Sequence, residues 1–92
     1  DWSLASVEDG RYRAMVLCHV LEHLHDPKRI LHRLLNSAFQ KGIATVIVVV
    51  PCWKGFRADP THLRYVDEQL LSDQELLAGT AFKFTESRYF PF

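Results

Sequence analysis

Ala14-Met-Val-Leu-Cys-His-Val-Leu-Glu-His-Leu-His-Asp-Pro27 runs from an apolar segment into a cluster of groups able to bind protons or metals, and then into a helix start. Ala14 to Cys18 is apolar without alternation, the pattern of a strand covered on both faces of a parallel sheet, and strand-like character extends over Tyr12 to Val20. Asp26 is suited to cap a helix and Pro27 to occupy its first position, where a missing N–H is harmless. Ligands of open parallel sheets bind beyond the carboxyl ends of the strands, so His19, Glu22 and His23 fall where chemistry is expected.

The pattern continues downstream. Ile30, Leu31, Leu34, Leu35 and Ala38 share one helical face, Lys28, Arg29, Arg33 and Asn36 lie opposite, and Lys41 with Gly42 supplies a stop. Ala44-Thr-Val-Ile-Val-Val-Val50, halted by Pro51, reads as a second buried strand. Strand, capped helix and strand make a βαβ unit, for which a right-handed crossover is the rule. Pro51 to Tyr65 predicts a long irregular connection. Asp67 to Ala78 predicts a further helix ended by Gly79, with Ser72 and Glu75 at capping-box spacing, so that a restart inside it is allowed. Phe82 to Tyr89 predicts a C-terminal strand. The fold class is therefore α/β. A strand as apolar as Val46 to Val50 beside a single partner would leave a sticky edge, so further chain or a second copy is expected to complete the sheet.

The 92 residues suffice for one small domain, which buries about 60–65% of its unfolded surface. A hydrophobic fraction of 48% with 12% aromatic residues is globular and excludes a disordered segment. Eleven basic and eleven acidic residues cancel, which argues against wrapping duplex nucleic acid or adhering to an anionic membrane. No apolar run approaches the roughly 20 residues of a membrane span, and Asp1-Trp-Ser-Leu lacks the basic start of a signal peptide. Cys18 and Cys52 make no disulfide framework, so a reducing, cytoplasmic setting is the expectation.

The ordered set of motifs resembles the second half of class I S-adenosylmethionine-dependent methyltransferases. Tyr12 through Pro27 is similar to the family's fourth-strand motif. The likeness continues through the helix to Gly42, the strand end Val49-Val50-Pro51, Asp59-Pro-Thr-His62, the pair Leu76-Leu77, and Gly79-Thr-Ala-Phe82. Nearly the whole chain is covered; each piece alone is weak, whereas the order and spacing are fairly specific. The glycine-rich turn of the family's first half is absent: the only glycines are Gly10, Gly42, Gly55 and Gly79, and none forms Gly-x-Gly. Residues 1–92 therefore read as the C-terminal half of one Rossmann-like methyltransferase domain: a parallel βαβ unit, a further helix and a C-terminal strand. Arg13, where an aspartate commonly precedes the strand, and Gln40-Lys-Gly-Ile43, in place of a Pro-Gly-Gly turn, mark a divergent member.

The resemblance implies S-adenosylmethionine as cofactor and methyl transfer to an oxygen or nitrogen acceptor, with a small molecule or sugar favoured. Cys18 and His19 would line the methionine part of the cofactor pocket, Asp1 would meet the adenine amino group and Trp2 its ring; the plainer reading of that pair is a loop acid and a half-buried indole. Methyl transfer is an in-line displacement that needs alignment, exclusion of water and removal of a proton. His62, in a loop expected to cover the site, and His19 are the acid–base candidates, since an unperturbed imidazole titrates near neutral pH. A loop histidine bonded to a carbonyl is the bland alternative for His62. Trp53, Phe56 and Tyr65 read as the small core of a lid, or as a stacking surface for a planar or sugar-like acceptor.

His19-Val-Leu-Glu22-His23 also matches the string H-x-x-E-H, but a zinc protease would need both histidines on one helix, and here they lie at a strand end. Methyltransferases of RNA terminal ribose 2′-hydroxyls carry E-x-x-E-H at this position and a histidine in the loop after the next strand. By that resemblance His19, Glu22, His23 and His62 could hold a divalent metal, softened by His19 towards zinc, iron or manganese. The structural alternative, a glutamate and histidine that merely fix the turn, carries more weight. His25 and His32 read as solvent-facing. A non-catalytic binding or assembly module on the same fold is the rival from outside enzymology.

Overall fold

The chain is described by a computed structural model, in which residues 2–89 are placed. Asp1 and the end of the apolar tail, Phe90 to Phe92, lie outside the described residues. The architecture is a small α/β arrangement. Strand β1 (Ala14–Cys18), a 3₁₀ turn (Leu21–His23), helix α1 (Pro27–Gln40) and strand β2 (Thr45–Val49) are followed by three short helices, α2 (Trp53–Arg57), α3 (Glu68–Leu71) and α4 (Gln74–Leu77).

The βαβ reading holds at its joints. Asp26 accepts a hydrogen bond from the Arg29 amide at 3.3 Å, and Pro27 opens α1. At the other end Gly42 takes φ +84°, and a Cβ there would stand 3.3 Å from the Gly10 Cα, so a side chain would be strained by conformation and crowded by the Gly10 backbone. β1 and β2 pair in parallel, Ala14 opposite Thr45 through Cys18 opposite Val49. Leu31, Leu34, Leu35 and Ala38 bury the inner face of α1; Leu17, Leu21, Val66 and Leu76 close the core around the first three.

Several expectations are corrected. The strands are covered on one face only: Met15, Leu17, Val46, Val48 and Val50 turn inward, whereas Val16 is 58% and Ile47 49% exposed. An uninterrupted apolar run does not encode which face is covered, and among the described residues no second layer exists. Phe82 to Tyr89 is not a strand. Phe82 packs against the core, but no neighbouring strand offers this segment a ladder, and Tyr89 is 70% exposed. The helix expected over Asp67 to Ala78 is broken at Ser72-Asp73. Asp67 caps α3 through the Leu70 amide, and Asp73 rather than Ser72 caps α4, accepting from the Glu75 amide at 2.7 Å. The connection after β2 contains α2. His32, expected in solvent, donates through Nδ1 to the Leu76 carbonyl at 2.7 Å, tying α1 to α4. Lys28 reinforces that junction: hydrogen bonding to the Asp73 carboxylate, 3.1 Å away, holds its ammonium pKa above the usual value.

Candidate functional site

The chain leaves β1 through His19, whose φ of +57° is unusual for a residue with a side chain. Its amide is held by the Val49 carbonyl of β2 at 2.9 Å, and its Nδ1 lies 3.2 Å from Oε2 of Glu22. The left-handed residue turns the backbone sharply, so the 3₁₀ turn places Glu22 beneath the strand ends instead of out in water. Glu22 is fully buried, and its Oε1 has no hydrogen-bond partner among the described residues.

The loop after β2 is fastened to the same turn. The Glu22 carbonyl accepts from the amides of Leu63 at 2.7 Å and Arg64 at 3.1 Å. That double bond sets His62 against the carboxylate: His62 Nε2 is 3.9 Å from Glu22 Oε2 and 3.7 Å from Asp59 Oδ2. His23 Nε2 is 4.0 Å from the same glutamate oxygen, and the rings of His23 and His62 lie 4.8 Å apart. The ligand atoms of Glu22, His23 and His62 all fall within 4.8 Å of one another.

The far side of each ring fixes its tautomer. His62 Nδ1 faces the Phe56 carbonyl at 2.8 Å, and His23 Nδ1 faces the Thr61 carbonyl at 3.2 Å. A carbonyl only accepts, so both Nδ1 atoms must carry the hydrogen. The two Nε2 atoms are thereby turned towards the Glu22 carboxylate, free to present a lone pair when the ring is neutral or a hydrogen when it is charged. Among the described residues His19 Nδ1 is the one group within hydrogen-bond distance of that carboxylate, at Oε2, and Oε1 is left without a partner.

Asp59 organises the loop. It accepts from the Thr61 amide at 2.9 Å and hydroxyl at 2.7 Å, and these bonds, the amide first, hold its carboxyl below the ordinary 3.8; the nearby His62 and His23 push the same way. The Asp59-x-Thr61 spacing is an Asx-turn signal present in the sequence, though the reading of that segment stopped at His62.

Of the sequence candidates, His19, Glu22, His23 and His62 are brought together. Cys18 is exposed at the end of β1, and Cys52 is exposed just before α2. Trp2 packs partly against the core, which matches the half-buried indole reading; Asp1 lies outside the described residues. Trp53, Phe56 and Tyr65 form one ring cluster with spacings of 5.1–5.7 Å, and Phe56 also stacks on His62. His25 is exposed, as expected. No helix among the described residues is long and apolar enough to cross a membrane. Comparison of the chain with protein-family models, curated proteins and solved structures returned no match.

Proposed function

We propose that this chain carries the second half of a class I, Rossmann-like methyltransferase domain, and that His62 and Glu22 handle the proton of an oxygen or nitrogen acceptor. The observation that supports it most is the meeting of His19 and His62 on one buried carboxylate at the carboxyl ends of two parallel strands. The motif resemblance supports the family, and the geometry supports the roles.

S-adenosylmethionine would bring an electrophilic methyl group on a sulfonium. The exposed Cys18 and His19 are the described residues that could border it. His62, its Nδ1–H committed to the Phe56 carbonyl, has a lone pair on Nε2 to take the acceptor's proton as the acceptor attacks. Glu22 and Asp59 flank that nitrogen and stabilise the imidazolium that forms. Calorimetric binding of S-adenosylhomocysteine to the whole domain, with turnover lost and binding kept in His62→Ala, is the expected result. Absence of binding would overturn the reading in favour of a non-catalytic module.

The unpartnered Oε1 of Glu22 beside two imidazoles favours a second reading, a divalent-metal site in a ribose 2′-O-methyltransferase. Tetrahedral coordination with bonds of ~2.1 Å spaces ligand atoms ~3.4 Å apart, so the separations of 3.9 and 4.0 Å from Glu22 need contraction by about half an ångström and the widest pair, within 4.8 Å, by up to about 1.4 Å. Two imidazoles and one carboxylate suit zinc, iron or manganese better than magnesium. His19, whose Nδ1 is occupied by Glu22, supports the carboxylate in this reading. Elemental analysis should find stoichiometric metal that disappears in His23→Ala and His62→Ala; unchanged metal content in both would eliminate the site.

A further inference from the structure

Beside the carboxylate cluster, three rings follow one another in near-parallel stacking. Trp53 lies on Phe56 with centroids 5.7 Å apart and planes at 21°, and Phe56 lies on His62 at 5.4 Å and 14°. Tyr65 closes the side of the stack, edge-on to Trp53 at 5.1 Å. In a self-contained miniature core the largest ring would be the most hidden. Here Trp53, the outermost, is 54% exposed, and α2 has no buried residue at all. The stack ends in His62 on one side and in an open indole on the other.

The same helix carries Lys54 and Arg57, both exposed and without an acidic partner among the described residues, while the chain as a whole is neutral. The acid of this loop, Asp59, is engaged by Thr61 and faces His62. Exposed ring and unpaired cations on one turn of helix are the two halves of recognition for a planar group that bears an anion.

We infer that α2 is a stacking platform for a small ligand carrying both a planar ring and a phosphate, with a nucleoside monophosphate the simplest member. The ring extends the Trp53–Phe56–His62 stack and the anion is met by Lys54 and Arg57. The inference goes beyond the proposed reaction, because a ring on the open indole lies two rings away from His62, and binding can be read without any methyl donor. Loss of the platform and loss of the methyltransferase reading are therefore separate results.

The test is a titration of the intact chain, in a Trp2→Phe background, with adenosine monophosphate, adenosine, phenyl phosphate and inorganic phosphate, followed by Trp53 fluorescence and by calorimetry. Adenosine monophosphate is expected to quench Trp53 and to bind about tenfold more tightly than adenosine or phosphate. Trp53→Leu and the Lys54→Gln/Arg57→Gln pair should each weaken it about tenfold by calorimetry, while Trp53→Phe keeps most of the affinity. Circular dichroism shows whether each variant is folded. Phenyl phosphate binding as tightly would keep the platform and widen the ring class. No binding at millimolar concentration, equal binding of phosphate alone, or equal binding of uncharged adenosine would overturn the proposal.

Discussion

His62 Nε2 and Glu22 Oε2 stand 3.9 Å apart, facing each other beyond hydrogen-bond distance. The pair is held by backbone on both sides: the Phe56 carbonyl on the ring and the amides of Leu63 and Arg64 on the glutamate's own carbonyl. With a neutral ring this is acceptor against acceptor, a contact that the fold imposes on the two side chains.

Glu22→Gln tests that imposition. An amide supplies the missing donor at almost unchanged volume, so the variant is expected to match the parent in urea unfolding or exceed it by about 1 kcal/mol. Glu22→Leu removes the acceptor of His19 Nδ1 and supplies no donor to the imidazoles, so it is expected to fall below both. A glutamine variant much less stable than the parent would show that the carboxylate is already satisfied.

His19 is expected to reveal backbone strain when its side chain is varied. At φ +57°, His19→Val should destabilise by about 1–2 kcal/mol relative to His19→Gly, because a β-branched residue disfavours the left-handed region. The glycine variant also loses the bond to Glu22, so its stability against the parent weighs strain directly against that contact. Equilibrium denaturation of the three proteins measures it.

Asp59 sets a pH dependence. Its folded-state carboxyl is held below the ordinary 3.8, so its contribution to loop order is complete above that value and fades as pH falls through the lower folded value. Thr61→Val removes the hydroxyl donor and should move the Asp59 titration upward, followed by NMR on the carboxyl carbon. An unmoved titration would show that the amide bond alone fixes the acid.

Leu34 is 1% exposed at the centre of α1's inner face. Leu34→Ala should cost about 2–5 kcal/mol, a large share of the stability available to a domain of this size. Thermal unfolding measures the loss.

The uncovered strand face makes the opposite prediction. Val16→Lys and Ile47→Lys lie outside the core, so each should change stability by less than about 0.5 kcal/mol while reducing concentration-dependent self-association in sedimentation velocity. A large stability loss would place those side chains in a layer outside the described residues.

How much of this was legible in the sequence depends on whether the signal was local. Asp26-Pro27, Gly42 and the β-branched run before Pro51 report their own backbone requirements, and they located the βαβ unit to within two residues at most ends. The convergence of His19, Glu22, His23 and His62 followed from resemblance and from strand-end placement. The burial of Glu22 did not follow, because a glutamate between leucine and histidine gives no sign of its depth. The one-sided covering of the sheet was illegible because apolar runs do not name a partner layer. The C-terminal strand failed for a related reason: Phe82 and Phe84 alternate as a strand would, yet a ladder needs a neighbour. The tautomers of His23 and His62 were illegible because they are set by carbonyls of Thr61 and Phe56, backbone groups that no side-chain motif encodes.

The double acceptance by the Glu22 carbonyl has a consequence for engineering and for divergence. The rivet joining the turn to the loop sits after His62, at Leu63 and Arg64, whereas the Phe56 carbonyl that orients the ring belongs to the same α2 that bears Trp53 and Lys54. Side-chain exchanges at Trp53 and Lys54 can therefore change what α2 presents while the backbone keeps its grip on the histidine, whereas insertions or deletions before Phe56 would loosen that grip.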